Sequence, residues 1–157
     1  MRWIRVGAVL CFVAVACGAF GAHALRDTLD DEMLDVWRTS VQYHFFHGLG
    51  LVLLGAVEPR LRPRRVRWAG VSFLVGVGLF SGSLYLLALT GVRALGAITP
   101  IGGVAFLVGW VLLALGRPHP VSGVKQEHVE RTMRRRGDGP RAKRQAEEKG
   151  PISASRK

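Results

Sequence analysis

QYHFFHGLGLVLLGAV, residues 42–57, decides how the chain is read. It is apolar enough to cross a bilayer, yet His44 and His47 stand three residues apart near its start. Ionisable groups inside a membrane span are costly, so they face a bundle interior or a water-filled cavity. At this spacing both imidazoles lie on one face of a helix. The other apolar stretches then become the walls around that face.

The uncharged run that holds this segment extends from Thr39 to Val57, 19 residues. Three more runs appear: Val6 to Ala22 (17 residues), Trp68 to Val92 (25) and Ala94 to Gly116 (23). A span needs roughly 17–25 predominantly apolar residues, so all four qualify, the first only just. A chain of 157 residues would suit one soluble domain by size, but four such runs leave little for a water-soluble shell. The pattern predicts an all-α, four-span transmembrane helical bundle over residues 1–116, with spans at about 4–22, 40–57, 68–89 and 95–115. Residues 117–157 form a basic, mostly disordered cytoplasmic tail on this reading.

Arg2 and Arg5 precede the first run, which also describes a secretory signal. Ala14-Val15-Ala16-Cys17 even resembles a lipoprotein cleavage box, which would lipidate Cys17, although Ala14 stands where a bulkier Leu is usual. An uncleaved helix is the preferred reading, since Gly18 to Ala22 continues the run with small residues typical of helix packing. Cys11 and Cys17, six residues apart on one helix, point to different faces and cannot bridge. They read as small packing residues.

The connection of residues 23–41 carries five acids, Asp27, Asp30, Asp31, Glu32 and Asp35, against Arg26 and Arg38. Thr28 with Asp31 makes a weak capping-box start, and Leu29, Met33, Val36, Trp37 and Val41 follow at helical spacing. A short amphipathic helix at the membrane interface is expected there, with a solvated helical loop as the plainer alternative. The second connection holds Arg60, Arg62, Arg64, Arg65 and Arg67, the third only Arg93. Bases crowd the N-terminus, the second loop and the tail, so the positive-inside rule puts both termini in the cytoplasm. Trp3 and Trp68 would mark the inner interface, Trp37 and Tyr43 the outer.

The tail has twelve Lys or Arg against five acids, and Val124 to Arg136 has helical character. Its run Arg134-Arg135-Arg136, with Arg131, is a candidate for contact with anionic lipid head groups. Nucleic acid is not expected, because no aromatic interleaving or folded module accompanies the charge. A plain solvated tail is the simplest reading. Nothing in the pattern specifies an oligomeric state.

With a rise of about 1.5 Å per residue, depths can be compared across antiparallel spans. His44 and His47 fall in the outer half of the second span, with Gln42 at its entrance. Ser81, Ser83 and Tyr85 fall in the outer half of the third, Thr99 and Pro100 near the outer end of the fourth, and His23 closes the first. These groups make a candidate polar pocket or network open to the outer face. His47 is expected neutral and hydrogen-bonded to Ser81 or Ser83, with His44 one turn further out and wetter. Gly78 and Gly82 form a GxxxG, and Gly102, Gly103 and Gly109 do similar work in the fourth span, all expected at helix contacts. Pro100 starts a helix rather than kinking one.

Three mechanisms fit such a pocket. Imidazoles can bind a transition metal, but HxxH alone is weak and no Cys or carboxylate stands at matching depth. A histidine can handle protons, or the pocket a small solute. In the structural reading, each imidazole bonds a hydroxyl or carbonyl and holds the bundle in register. No nucleophile, base and orienting acid share a depth, so no enzyme activity is expected, and neither is a metal or other cofactor.

Gly18-Ala19-Phe20-Gly21-Ala22-His23-Ala24-Leu25 is followed by Trp37, Thr39, Gln42, Tyr43, His44 and His47. Leu79-Phe80-Ser81-Gly82-Ser83-Leu84-Tyr85, then Thr99-Pro100-Ile101-Gly102-Gly103 and Gly109-Trp110, complete an ordered set. Over about residues 5–116 this set resembles the small multi-span membrane proteins of the domain of unknown function 423 family, which includes animal transmembrane protein 256. The resemblance implies an integral membrane protein with no established activity. It also counts against the lipoprotein reading, since the first motif would span the cleavage junction.

The charge distribution makes a topology prediction. Alkaline phosphatase fused at Asp31 should be active and the same reporter at Arg64 silent; the opposite pattern inverts the topology.

Overall fold

The computed structural model describes residues 2–116 together with Thr132. The tail's expected disorder, its lipid contact and the helix over Val124–Arg136 fall outside the described residues. Helix α1 spans Arg2–His23 and α2 spans Asp31–Val57. After a 3-10 turn at Glu58–Arg60, α3 (Pro63–Gly76) runs through a π-helical turn, Val77–Ser81, into α4 (Gly82–Thr90). A 3-10 stretch at Arg93–Ile98 leads to α5 (Thr99–Ala114). Among the described residues four helical stretches are long and apolar enough to cross a membrane: Arg2–His23, Asp31–Arg60, Pro63–Thr90 and Arg93–Ala114. The all-α, four-span reading holds. Large apolar side chains point outward all along it, with Phe12 74% exposed and Leu107 66%, as lipid contact requires.

Local chemistry sets the ends of these helices. Asp30 caps α2, its carboxylate accepting from Met33 N at 2.7 Å, with Asp31 and Glu32 in the positive first turn. The cap is therefore not Thr28, whose hydroxyl donates to Ala24 O at 3.0 Å. Pro63 opens α3, and Pro100 lies in the first turn of α5 as its place in the run predicts. Gly91, at φ 70°, ends α4 by a left-handed turn whose N–H reaches Leu87 O. The expected interfacial helix does not exist as a separate element, because α2 continues unbroken from Asp31 through the membrane segment. Its apolar residues face inward: Leu34 and Trp37 are buried with Leu25 and Ala88. Trp37 is thus a core residue and not an interfacial anchor, and its indole N–H donates to Cys17 O at 3.0 Å.

Between helices, glycines receive backbone or aromatic rings. A Cβ on Gly7 would lie 2.6 Å from Gly48 O and 2.7 Å from Val52 N, and one on Gly55 2.7 Å from Ile4 N, so α1 and α2 touch backbone to backbone. Across α3 and α5, the Phe73 ring fills the notch at Gly109 and the Phe106 ring that at Gly76, while the Phe80 backbone of the π turn fills that at Gly102. Such close approach is the main source of helix association where lipid is as apolar as the side chains. Two of the expected packing glycines fail this test. Gly78 has nothing within 4 Å of a Cβ position, and Gly82 meets only Val77 O of its own π turn, at 3.9 Å. Gly103 touches Phe80 only loosely, at 3.9 Å. The notches in the third span lie instead at Gly70 and Gly76.

Two apolar clusters result. One gathers Leu51, Leu54, Val66, Phe73 and Phe106 toward the arginine-rich end, the other Leu25, Leu34, Trp37 and Ala88 toward the opposite end. Between them along α2 and the third span sit Ser40, His44, His47, Ser81 and Ser83, all buried. The π turn lies in this layer. In a π turn the N–H of Gly82 reaches back five residues to Val77 O, which disturbs the regular ladder of carbonyls. Ser40 Oγ of α2 donates to Ser81 O at 2.7 Å.

Two measurements check this packing. Gly7→Val should cost about 1–3 kcal/mol and lower the melting temperature in detergent, whereas Gly78→Ala should leave it level or higher. Ser40→Ala should cost about 1–3 kcal/mol by withdrawing the donor from a buried carbonyl; a melting temperature equal to wild type would show that the carbonyl is met otherwise.

Candidate functional site

The buried polar layer resolves into three separate groups rather than one open pocket. Ser40 and His44, one turn apart on α2, face Ser81 and Tyr85, one turn apart on the third span. His44 Nδ1 lies 3.3 Å from Tyr85 Oη, with the rings edge to face at 6.1 Å. The Ser40 and Cys17 side chains also border that hydroxyl, and the Tyr85 ring packs on Trp37 at 4.7 Å. His44 Nε2 and Ser81 Oγ have no hydrogen-bond partner among the described residues, and both are closed off from solvent.

His47 belongs to a second group. Its Nδ1 lies 2.8 Å from Tyr43 O, one turn back on the same helix, and its Nε2 accepts from the indole N–H of Trp110 at 3.2 Å. A carbonyl can only accept and an indole N–H can only donate, so these partners select the neutral tautomer with hydrogen on Nδ1. The imidazole stacks on Phe106 at a centroid distance of 3.4 Å and an angle of 11°, with Phe73 at 5.7 Å. The expected bond from His47 to Ser81 or Ser83 is absent. Ser40, seven residues before His47 and on nearly the same face of α2, is the residue that stands level with Ser81. His47 lies about 10 Å further along the helix, at the level of Phe73, Phe106 and Trp110. Ser83 makes the third group instead, donating to Phe80 O at 3.0 Å and lying 3.4 Å from Thr99 Oγ1.

His23 and Gln42 join none of these groups. His23 is exposed at the end of α1. Gln42, also exposed, lines a groove of about 560 Å³ between α1 and α2 together with Gly21, Arg26, Trp37 and Arg38. Two residues that complete the network had no predicted role. Ser40 stands four before His44 and so on its face, a signal the sequence does carry. Trp110 lies past the middle of α5, and nothing in the pattern turns it toward α2.

This arrangement can hold helices in register, but it is poorly suited to holding a metal. Among the described residues no group of three or more His, Cys, Asp or Glu converges. Both His47 nitrogens are engaged, and of His44 only Nε2 remains.

The family model described as "Protein of unknown function (DUF423)" matches residues 17–103. The chain is 48% identical over 113 residues to a UPF0382 membrane protein of Staphylococcus epidermidis, covering 72% of this chain and 92% of that protein. It is 45% identical over 114 residues to the UPF0382 membrane protein YwdK of Bacillus subtilis, covering 72% and 93%. No solved structure matches the chain. With four membrane-length helices and a match to membrane proteins that covers nearly their whole length, this is an integral membrane protein, and the chain belongs to the DUF423 family of proteins of unknown function.

Proposed function

We propose that the protein is a structural or accessory component of the cytoplasmic membrane, without enzymatic activity, whose buried histidines lock helices together. The observation that carries this is His47. Its two nitrogens are bonded within the bundle and its ring is sandwiched among aromatic side chains, which leaves no site for a ligand or a travelling proton. The sealing of His44 Nε2 and Ser81 Oγ supports the same reading, since neither atom lines a water-sized space. Both termini and the arginine-rich turn face the cytoplasm on this view, for reasons of charge. The basic tail then lies on an anionic membrane face and takes no nucleic acid.

The competing reading is a small-solute or proton-handling protein that uses the unmet His44 nitrogen. One set of experiments separates the two. His47→Phe keeps a stacking ring but leaves the Trp110 N–H unpaired, and should cost about 1–3 kcal/mol in a detergent melt. Chelator should change neither melting curve. Proteoliposomes under a pH gradient should leak protons no faster than empty vesicles. A proton flux abolished by His44→Gln, or a chelator-sensitive wild type, would replace the structural reading.

A further inference from the structure

Beyond this reading, we propose that a groove between α3 and α5, at the arginine-rich end, is a binding site for an anionic phospholipid. Helix α3 presents Arg64 and Arg65, then Trp68, then Ser72 along one face, at successive turns. Val108 and Leu112 of α5 form the opposite wall of a groove of about 430 Å³. Eight residues of helix separate Arg64 from Ser72, about 12 Å, so the lining grades from two charges through an indole to a single hydroxyl beside the apolar Val108 and Leu112. Only an amphiphile matches that gradient along its whole length.

The ends of the groove specify which amphiphile. Two guanidiniums and no carboxylate line it. Arg65 donates to Leu115 O at the C-terminal end of α5, which holds that side chain in place across the groove. Arg64 has no hydrogen-bonding or ionic partner among the described residues, so its planar donors are available to a phosphate diester. Trp68 is 54% exposed, an indole of the kind that favours the glycerol-ester region, and Val108 at 44% offers acyl contact. A second groove of about 640 Å³, on the α1 side of α3, has Arg2, Trp3 and Arg67 but also the Glu58 carboxylate. Its mixed charge makes it the poorer anion site.

The test uses the full chain in mild detergent, titrated with an equal mixture of phosphatidylglycerol and phosphatidylcholine and read by native mass spectrometry. Wild type should retain phosphatidylglycerol in preference. Replacing Arg64→Gln and Arg65→Gln together should lower the glycerol-to-choline ratio by roughly fivefold for each arginine removed. Trp68→Leu should lower retention of both lipids. Arg60→Gln, an exposed arginine at the same end outside the groove, should leave the ratio unchanged. If the double variant does not fold, Arg64→Glu carries the test alone, and it should abolish the preference. A ratio that survives loss of the groove arginines, or that falls as far in Arg60→Gln, would overturn the site in favour of diffuse attraction. Release of the lipid by excess inorganic phosphate would overturn the lipid assignment.

Discussion

A backbone in hydrocarbon has no water to turn to, so each carbonyl must find its donor inside the protein. The bond from Ser40 Oγ to Ser81 O answers that constraint where it is hardest to meet. The π turn at Val77–Ser81 perturbs the helical ladder in the buried middle of the third span. A hydroxyl from α2 takes up the carbonyl there, and by doing so fixes the register of α2 against the third span. The two spans run antiparallel, so His44 and Tyr85 lie on opposite sides of this bond along the axis, and the long Tyr85 side chain brings its hydroxyl back to 3.3 Å from His44 Nδ1. The two contacts cross in one patch centred on the Ser40 bond.

The apolar contacts follow a different logic. Lipid chains are as apolar as Leu or Val, so burial of such side chains between helices gains little by itself. What does gain is contact that lipid cannot reproduce. Here glycine notches supply it, taking the Gly48 carbonyl against Gly7 on one side of α2, aromatic rings at Gly76 and Gly109 on the α3–α5 side, and the Phe80 backbone at Gly102. Phe73 and Phe106 each enter a notch and also flank His47, so the packing that joins α3 to α5 also fixes the imidazole.

Four spans and the polar layer were legible in the sequence, because hydropathy reports length and residue number reports depth. His44 and Tyr85 are both read into the outer half of the bundle, and their side chains meet. Depth counted from the span ends is coarse, however. It puts His47 level with Ser81, whereas Ser40 stands there and His47 lies about 10 Å away along α2, beside Phe73 and Trp110, the latter with no assigned role. The GxxxG at Gly78 and Gly82 failed for a different reason. That motif assumes regular helical period, but Gly78 lies inside the π turn and Gly82 directly after it, and the extra residue of that turn rotates the following face by roughly 100°. Ser40 carries no predicted role although its spacing to His44 is visible, since it stands where the second span overlaps the connection read as an interfacial helix. That stretch is acidic at its start and buried by its third turn, a change of environment within one unbroken helix.

The chemistry of position 47 explains why an ionisable residue is retained there. Asn or Gln could supply a donor and an acceptor, but no flat aromatic face to lie on Phe106. Phe or Tyr could stack, but could not accept from Trp110 while donating to Tyr43 O. Imidazole alone combines both edges with a face. Through these groups α2 reaches every other span by a distinct device: backbone contact at Gly7 and Gly48 to α1, Ser40 and His44 to the third span, His47 to α5. Ser40, His44 and His47 share one face of α2 but stand at successive depths along it, so the third span and α5 meet that face at different levels. That is why one helix carrying two histidines can organise the whole bundle.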